Sequence, residues 1–375
     1  MKITVERAII LKALAHVQSV VERRNTIPIL ANVLLDAKDG VLSLTATDME
    51  IAVVEEVAGV TVTRAGRTTA PAATLYDIVR KLPESAKIEL DHPGGDAPLV
   101  LRAGRFVTNM LALPVEDFPS MTEGKLPIHF KLGAAALRGL IDRTKFAIST
   151  EETRYYLNGI YLHVAESDGA DVLRAAATDG HRLARVEEPA PAGAKGMAGV
   201  IIPRKTVNEL RKLAEETQDE IELRVSDTKI QFTIGPVKLT SKLIDGTFPD
   251  YERVIPKAND KILRVGKKEF ADAVARVAAI SSERSRPVKL SVGQNLLVLE
   301  ASSAEQGQAR EELDDGSAEY SASPIEIGFQ ARYLADITEQ IGDRVQFEFA
   351  DGNSPTVVKD AARPEAIFVL MPMRV

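Results

Sequence analysis

Hydrophobic and polar residues alternate with a period of two in six short runs: VLSLTA (41–46), KIELD (87–91), GIYLHV (159–164), EIELRV (220–225), KIQFTI (229–234) and VQFEF (345–349). Successive side chains of a strand point to opposite faces, so this pattern predicts strands with one buried side. Helical spacing governs three longer segments, VERAIILKALAHVQSVV (5–21), KLGAAALRGLIDRTKFAIS (131–149) and GKKEFADAVARVAAISS (266–282). In the second of these, Leu137, Leu140, Ile141 and Ile148 line one face, while Arg138, Asp142, Arg143 and Lys145 lie elsewhere. Shorter helices are predicted after a strand in TTAPAATLYDIVRKLP (68–83), VIIPRKTVNELRKLA (200–214) and IGFQARYLADITEQI (327–341). Asp39-Gly40 and Asp351-Gly352 read as hairpin turns.

These landmarks recur three times in one order. Each third opens with an amphipathic helix, carries a second short helix, and closes on a similar strand end: LPVEDFPSM (113–121), LIDGTFPDYERVIP (243–256) and IFVLMPMRV (367–375). Pro71 and Pro203 stand at matching helix starts, where proline gives up only an N–H that has no helical partner. Two helices and about eight strands per third define an α+β fold of antiparallel sheets covered on one side by helices. Turn and breaker residues place the boundaries near 123 and 255, giving units 1–123, 124–255 and 256–375.

The repeat also decides how to read AATDGHRLARV (176–186), where Asp179, His181 and Arg182 resemble a catalytic cluster. Residues 44–54, LTATDMEIAVV, repeat the Ala-Thr-Asp without the histidine. A feature repeated without its reactive group is architectural, and Thr-Asp-Gly is ordinary turn chemistry. Asp179 and His181 would share a strand face, so a dyad is conceivable, but no nucleophile motif accompanies it. H-E-x-x-H, G-x-S-x-G and G-x-G-x-x-G are all absent. No catalytic residues, metal or cofactor are expected.

Composition narrows the class further. The 375 residues are 45% hydrophobic and 27% charged, enough for real cores. Without cysteine there is no disulfide framework, thiolate metal site or cysteine nucleophile. Glu6, Arg7 and Lys12 interrupt any signal-peptide core, and no run approaches a membrane span, so a soluble, cytoplasmic protein is expected. The net charge of −7 argues against a polyanion partner until its distribution is considered. The six helical segments together carry +8 and everything else −15. Lysine and arginine are good helix formers, but glutamate is too, and it does not dominate. Basic helices under an acidic exterior suit a polyanion held on the helical side alone. Six helices about 10 Å wide, closed in a ring, leave a hole of roughly 9 Å, less than one major groove of about 12 Å. Twelve leave roughly 28 Å, so a ring around a duplex needs two chains.

Several motifs then occur in one order along the whole chain: MKITVER at the start, RRNTIPILANVLL (23–35), LTATDMEIAV, RYYLNGIYL (154–162), ATDGHRLA, TSKLIDGTFPDYERVIP (240–256) and the terminal VLMPMRV. With them the chain resembles the bacterial DNA sliding clamps, the beta subunits of DNA polymerase III. The resemblance implies a head-to-tail homodimer of six similar domains, a closed ring with helices lining the hole. Such a ring encircles double-stranded DNA without sequence specificity and tethers the replicative polymerase for processive synthesis. It implies a non-catalytic processivity subunit of a nucleotidyltransferase holoenzyme, opened by an ATP-driven loader. G-x-x-x-x-G-K is absent, consistent with a ring that does not load itself.

The resemblance also implies sites. A pocket between the second and third domains would take short peptides from the polymerase alpha subunit, the clamp loader delta subunit and repair proteins. By position it comprises Arg154, Tyr156, Leu157, Thr178, Gly180, His181, Arg182, Leu183, Pro249, Arg253, Val254, Gln330, Tyr333, Val369, Met371 and Met373. Leu, Val and Met make an adaptable apolar cavity, and Tyr and Arg make anchors. The competing reading is a domain-seam core, above all for Leu183 and Val254. Gln330 and Pro355 depart from the family's usual Asn and Ser. DNA contacts fall on Arg24, Tyr155 and Tyr156, then on Arg23, Arg7, Arg138 and Arg143. The subunit interface would join the strand Phe106–Leu111, with Thr108 and Met110 outward, to Ala279 and Ile280. Inward packing of Met110 is the alternative. The acidic stretch EELDDGSAE (311–319) suggests mobility. A peptide-binding scaffold that never encircles DNA remains the alternative function.

Overall fold

The computed structural model describes residues 1–22, 26–121, 124–281, 287–314 and 316–374, with only the backbone of Pro364. Among the described residues there are six α-helices: α1 (Arg7–Gln18), α2 (Ala72–Lys81), α3 (Ala134–Asp142), α4 (Arg204–Glu215), α5 (Lys267–Ala278) and α6 (Ala331–Glu339). The remainder is dominated by strands in four antiparallel sheets of five, eight, nine and four strands. No described helix is long and apolar enough to cross a membrane.

Contacts divide the chain into two compact units that ignore the thirds. The first holds Met1–Leu137, Pro191–Met197 and Lys205–Leu243. Its eight-stranded sheet runs through the strand Val237–Lys242 into Ile51–Val57, with Ser241 opposite Ile51. The second holds Arg138–Ala190, Ala198–Arg204 and Ile244–Val375. Its nine-stranded sheet passes from Arg182–Pro189 into Arg363–Leu370, with Arg182 opposite Leu370. The rule is the same in both units: the last strand of one third pairs with the strand that follows the Thr-Asp turn of the third before it.

Local chemistry accounts for most element ends. Ile10, Leu14 and Val17 of α1 are fully buried, as its periodicity requires, and α1 packs on α2. Pro71 and Pro203 each end a strand, and a helix begins at the next residue. The helical pattern over 131–149 is realised only as α3. Thr144 closes it, its Oγ1 donating to Leu140 O at 2.6 Å, and Lys145–Ala147 forms a separate 3-10 turn. Ile148 is thus buried from an extended segment rather than from the helix face.

Asp39 and Gly40 have φ of 50° and 80°, the backbone of a two-residue hairpin. Asp351-Gly352 instead sits in a longer loop, where Asp351 Oδ1 accepts from Asn353 N (2.8 Å) and Ser354 N (2.7 Å). Glycine is needed there because a Cβ would meet Glu326 O at 2.3 Å. The expected mobility of 311–319 also meets a correction. Glu311 belongs to the strand Gly307–Leu313, and both its oxygens take hydrogen bonds from Arg276 (2.8 and 2.5 Å). Ala318–Glu319 pairs with Arg264 and Val265; Asp315 lies outside the described residues.

Candidate functional site

The two Thr-Asp turns have one backbone. Thr178 Oγ1 donates to Arg182 O (2.7 Å) and accepts from Gly180 N (3.1 Å). Asp179 Oδ1 accepts from His181 N (2.9 Å) and Arg182 N (3.0 Å). Thr47 and Asp48 make the corresponding four bonds at 2.8–3.0 Å. The imidazole of His181 takes no part in the turn; it is exposed and lies nearly parallel to Tyr333 at 6.3 Å. The turn reading holds, and the Asp-His dyad does not form, because the Asp179 carboxylate is engaged by the backbone and by Arg182.

All sixteen pocket candidates lie in the second compact unit. Leu157, Leu183 and Val369 are buried in one cluster with Ala176, Ile201, Phe248 and Tyr251, and Tyr156 packs against it. Of these, the candidates Leu157, Leu183 and Val369 form a floor. The seam-core reading therefore holds for Leu183 but not for Val254, which is 54% exposed. Pro249, Arg253, Val254 and Met371 stand at the surface above. Arg253, Val254, Met371 and Pro355 line an open depression of about 410 Å³. The chain end is docked: Met371 N donates to His181 O (2.9 Å) and Met373 N to Gly328 O (2.8 Å). Gln330 Oε1 is buried without a hydrogen-bond partner.

Arg182 has a different role from an exposed anchor. It is 6% exposed, and its guanidinium donates to Asp179 (3.1 Å), Asp336 (2.5 Å) and Phe146 O (2.6 Å). Its Cζ lies 4.4 Å from the Tyr333 ring centre. Arg182 thus fastens the turn to α6. Sequence reasoning missed Asp336, although Tyr333 and Asp336 sit one helical turn apart. Arg154 borders the opposite side, donating to Asp179 O (3.1 Å) and pairing with Glu151 (2.7 Å). That hydrogen bond holds the exposed Glu151 carboxyl below its usual range. Burial raises the Tyr333 phenol, keeping it a neutral donor.

The DNA candidates fare unevenly. Tyr155 is exposed, with its ring edge-on to Tyr156 at 5.8 Å. Arg138 is half-buried on α3. Arg7 is instead a helix cap, donating to Val79 O (3.0 Å) and Arg80 O (2.8 Å) at the end of α2. Arg143 is largely buried against Glu365 (3.0 Å). Neither side chain is presented to a phosphate in this state. Arg23 and Arg24 lie outside the described residues.

At the expected interface, Met110 must be corrected: it is 5% exposed and packs inward, opposite Leu99. The strand is Phe106–Met110, an edge of its sheet. Its outward apolar groups are Phe106, Val107 and the 81%-exposed Leu111, with Thr108 half-buried. Ala279 is exposed and Ile280 half-buried just past α5. Among the described residues no cluster of metal-ligating side chains occurs.

Repeated α+β units whose antiparallel sheets run on from one repeat to the next are the architecture of a DNA clamp. Three family models match in sequence: the DNA polymerase III beta subunit N-terminal domain over residues 1–122, the central domain over 131–250, and the C-terminal domain over 252–374. The beta sliding clamp of Caulobacter vibrioides is 52% identical over 376 aligned positions, covering 100% of both chains. That of Escherichia coli K12 is 39% identical, again over 100% of both. Among solved structures, the Caulobacter crescentus clamp superposes with a TM-score of 0.97 at 52% identity, covering 100% of this chain and 99% of that one. A Bartonella birtlesii clamp bound to griselimycin does so at 0.96 and 47% identity, covering 100% of each. The chain belongs to the DNA polymerase III beta subunit family, the DNA sliding clamps.

Proposed function

We propose that two copies close head to tail around duplex DNA and slide on it without reading sequence, tethering the replicative polymerase. One observation carries the ring. Both sheet junctions within the chain join a last strand to a post-turn strand. The third repeat turns at Ala304-Glu305-Gln306 instead of Thr-Asp; by strand position the rule then pairs Phe106–Met110 of one copy with Gly307–Leu313 of the next, and both strands are sheet edges. Unpaired edges of this kind call for a partner. The two pairings of a symmetric dimer use this pair of edges in both chains. Twelve helices are then enough for a hole of about 28 Å.

The surface above the Leu157–Leu183–Val369 floor receives short peptides from the polymerase alpha subunit, the loader delta subunit and other DNA enzymes. Griselimycin, which the Bartonella clamp binds, is a ligand we expect this surface to take. The chain itself contributes no catalysis, and its working place is the cytoplasm, where the chromosome is copied. Tyr155 and Tyr156 meet the DNA, with Arg23, Arg24 and Arg138.

The test is topological. The protein is loaded by its loader and ATP onto nicked circular DNA, the loader is stripped in high salt, and half the sample is cut once. Retention on circles and loss from linear DNA is the expected result. Equal release from both forms overturns the ring and leaves a peptide scaffold.

A further inference from the structure

The segment between the second and third repeats carries the open wall of the pocket. Pro249, Arg253 and Val254 are exposed, while Tyr251 and Glu252 between them turn back onto the nine-stranded sheet. There the sheet presents a polar ladder. His163 stands opposite Arg174, and Arg174 opposite Glu187, on three neighbouring strands. Glu187 accepts from Arg174 (3.0 Å) and from Arg185 (2.8 Å). Two guanidinium groups, each with about 11% of its side chain exposed, thus share one equally buried carboxylate. The patch is left with an uncompensated positive charge, which is costly away from water.

Glu252 supplies the missing charge, with Oε1 at 3.0 Å from Arg174 and 3.3 Å from Arg185. Tyr251 adds a directional bond, its hydroxyl donating to His163 Nε2 at 2.7 Å. His163 Nδ1 faces Val164 O at 3.3 Å, an oxygen that only accepts, so Nδ1 carries the proton and Nε2 accepts; burial pulls the His163 pKa below its ordinary range and keeps the Tyr251 phenol protonated. Tyr161 stacks between His163 (4.6 Å) and Phe248 (4.9 Å), filling the space beneath.

We propose that Tyr251 and Glu252 are positioning residues for peptide capture: docked on the Arg174–Glu187–Arg185 ladder and on His163, they hold the Arg253–Val254 wall in its binding position without touching the ligand. The inference rests on the pocket reading above. A wall already fixed saves the ordering cost that binding would otherwise meet.

The experiment uses the full chain and griselimycin as probe, measured by calorimetry. Variants are Y251F, which removes one hydroxyl, E252Q, which removes one charge at constant size, and the pair together. V254D serves as the pocket control. Backbone hydrogen exchange of every protein gives the second readout. The expected result is about tenfold weaker binding for the double variant, about 1.4 kcal/mol, with faster exchange confined to 249–256 and the rest of the unit exchanging as in the wild type. Y251F alone, the mildest change, moves both readouts the same way by a smaller factor. A general loss of structure would speed exchange throughout the unit instead and overturns the positioning role. Unchanged binding in the double variant, with V254D weakened, also overturns it while leaving the pocket intact. Unchanged binding in V254D as well removes the pocket reading and this inference with it.

Discussion

The turns at Thr47–Ile51 and Thr178–Arg182 share every backbone hydrogen bond, yet opposite surroundings have grown around them. In the first, charge surrounds the turn, while Met49 and Glu50 at its tip are exposed. Asp48 pairs with Lys205 of α4, which also reaches Glu22 at 3.2 Å, and Glu50 pairs with Lys242 at 3.0 Å. Nearby, His16 is held between Glu55 (2.7 Å) and Glu216 (2.8 Å). In the second, the ring of Tyr333 from α6 lies over Arg182 and beside His181. Arg182 is drawn under Tyr333, Gly180 and His181 are left exposed, and an apolar floor lies beside them. Turn chemistry therefore fixes the backbone, and the residues across from it decide whether it is surrounded by ion pairs or by an open apolar surface.

Removing what is buried at the second turn should have the largest effect. Arg182→Ala removes the guanidinium from Asp336, Asp179 and Phe146 O, leaving Asp179 its two turn N–H donors and Asp336 only Arg332 at 3.6 Å. A cost of about 3 kcal/mol is expected, since one partner of a buried charge network is lost. Urea unfolding checks it; a loss indistinguishable from zero would mean the guanidinium is not the fastening.

Exchanging the third turn residue tests the comparison directly. Gly180 has φ +88°, and a Cβ there would meet an Arg154 nitrogen at 2.6 Å. Gly180→Met should cost about 1–2 kcal/mol for the left-handed backbone and displace Arg154, weakening griselimycin binding. Met49, at φ +75°, already bears that strain. The reverse change, Met49→Gly, should leave melting within about 0.5 kcal/mol, as relief of strain offsets the freer unfolded chain. Equal losses in both directions would deny the two turns a common backbone.

The ion pairs near the first turn should respond to pH. Burial opposes the charge on His16, but the hydrogen bonds it donates to Glu55 and Glu216 outweigh it, so its pKa is raised above 6.5. A raised folded pKa means a contribution fully present below the unfolded value near 6.5 and lost as pH rises through the folded value. On Glu216 burial pulls upward, while His16 and Lys12 hold its pKa below 4.5, so its contribution is lost as pH falls through that lowered value. His16→Gln should then cost about 1 kcal/mol near pH 6 and less at pH 9. Parallel stability curves for wild type and variant would refute the charged clasp.

Much of this architecture was legible in one dimension. The triple repeat, the paired helices, the Asp39-Gly40 hairpin and the turn nature of Thr178-Asp179-Gly180 all rest on periodicity or on residues within a few positions of each other. Such features are set by interactions whose partners lie within the same window of chain. The pocket residues came from resemblance, and the structure gathers them in one compact unit.

The destinations of individual side chains were not legible. Met110 turns inward because its strand packs opposite Leu99, and Arg7 is consumed by carbonyls 72 and 73 positions away. Arg182 finds Asp336 across 154 residues, and Arg143 finds Glu365 across 222. Periodicity says which face a side chain takes; it carries no information about what another part of the chain brings to that face. Local hydrogen bonding and alternation therefore determined the repeats and turns from sequence alone. Only the folded chain decided which charges are spent on one another and which surface is left open to bind, because the cost of an unpaired buried charge depends on neighbours that only tertiary packing supplies.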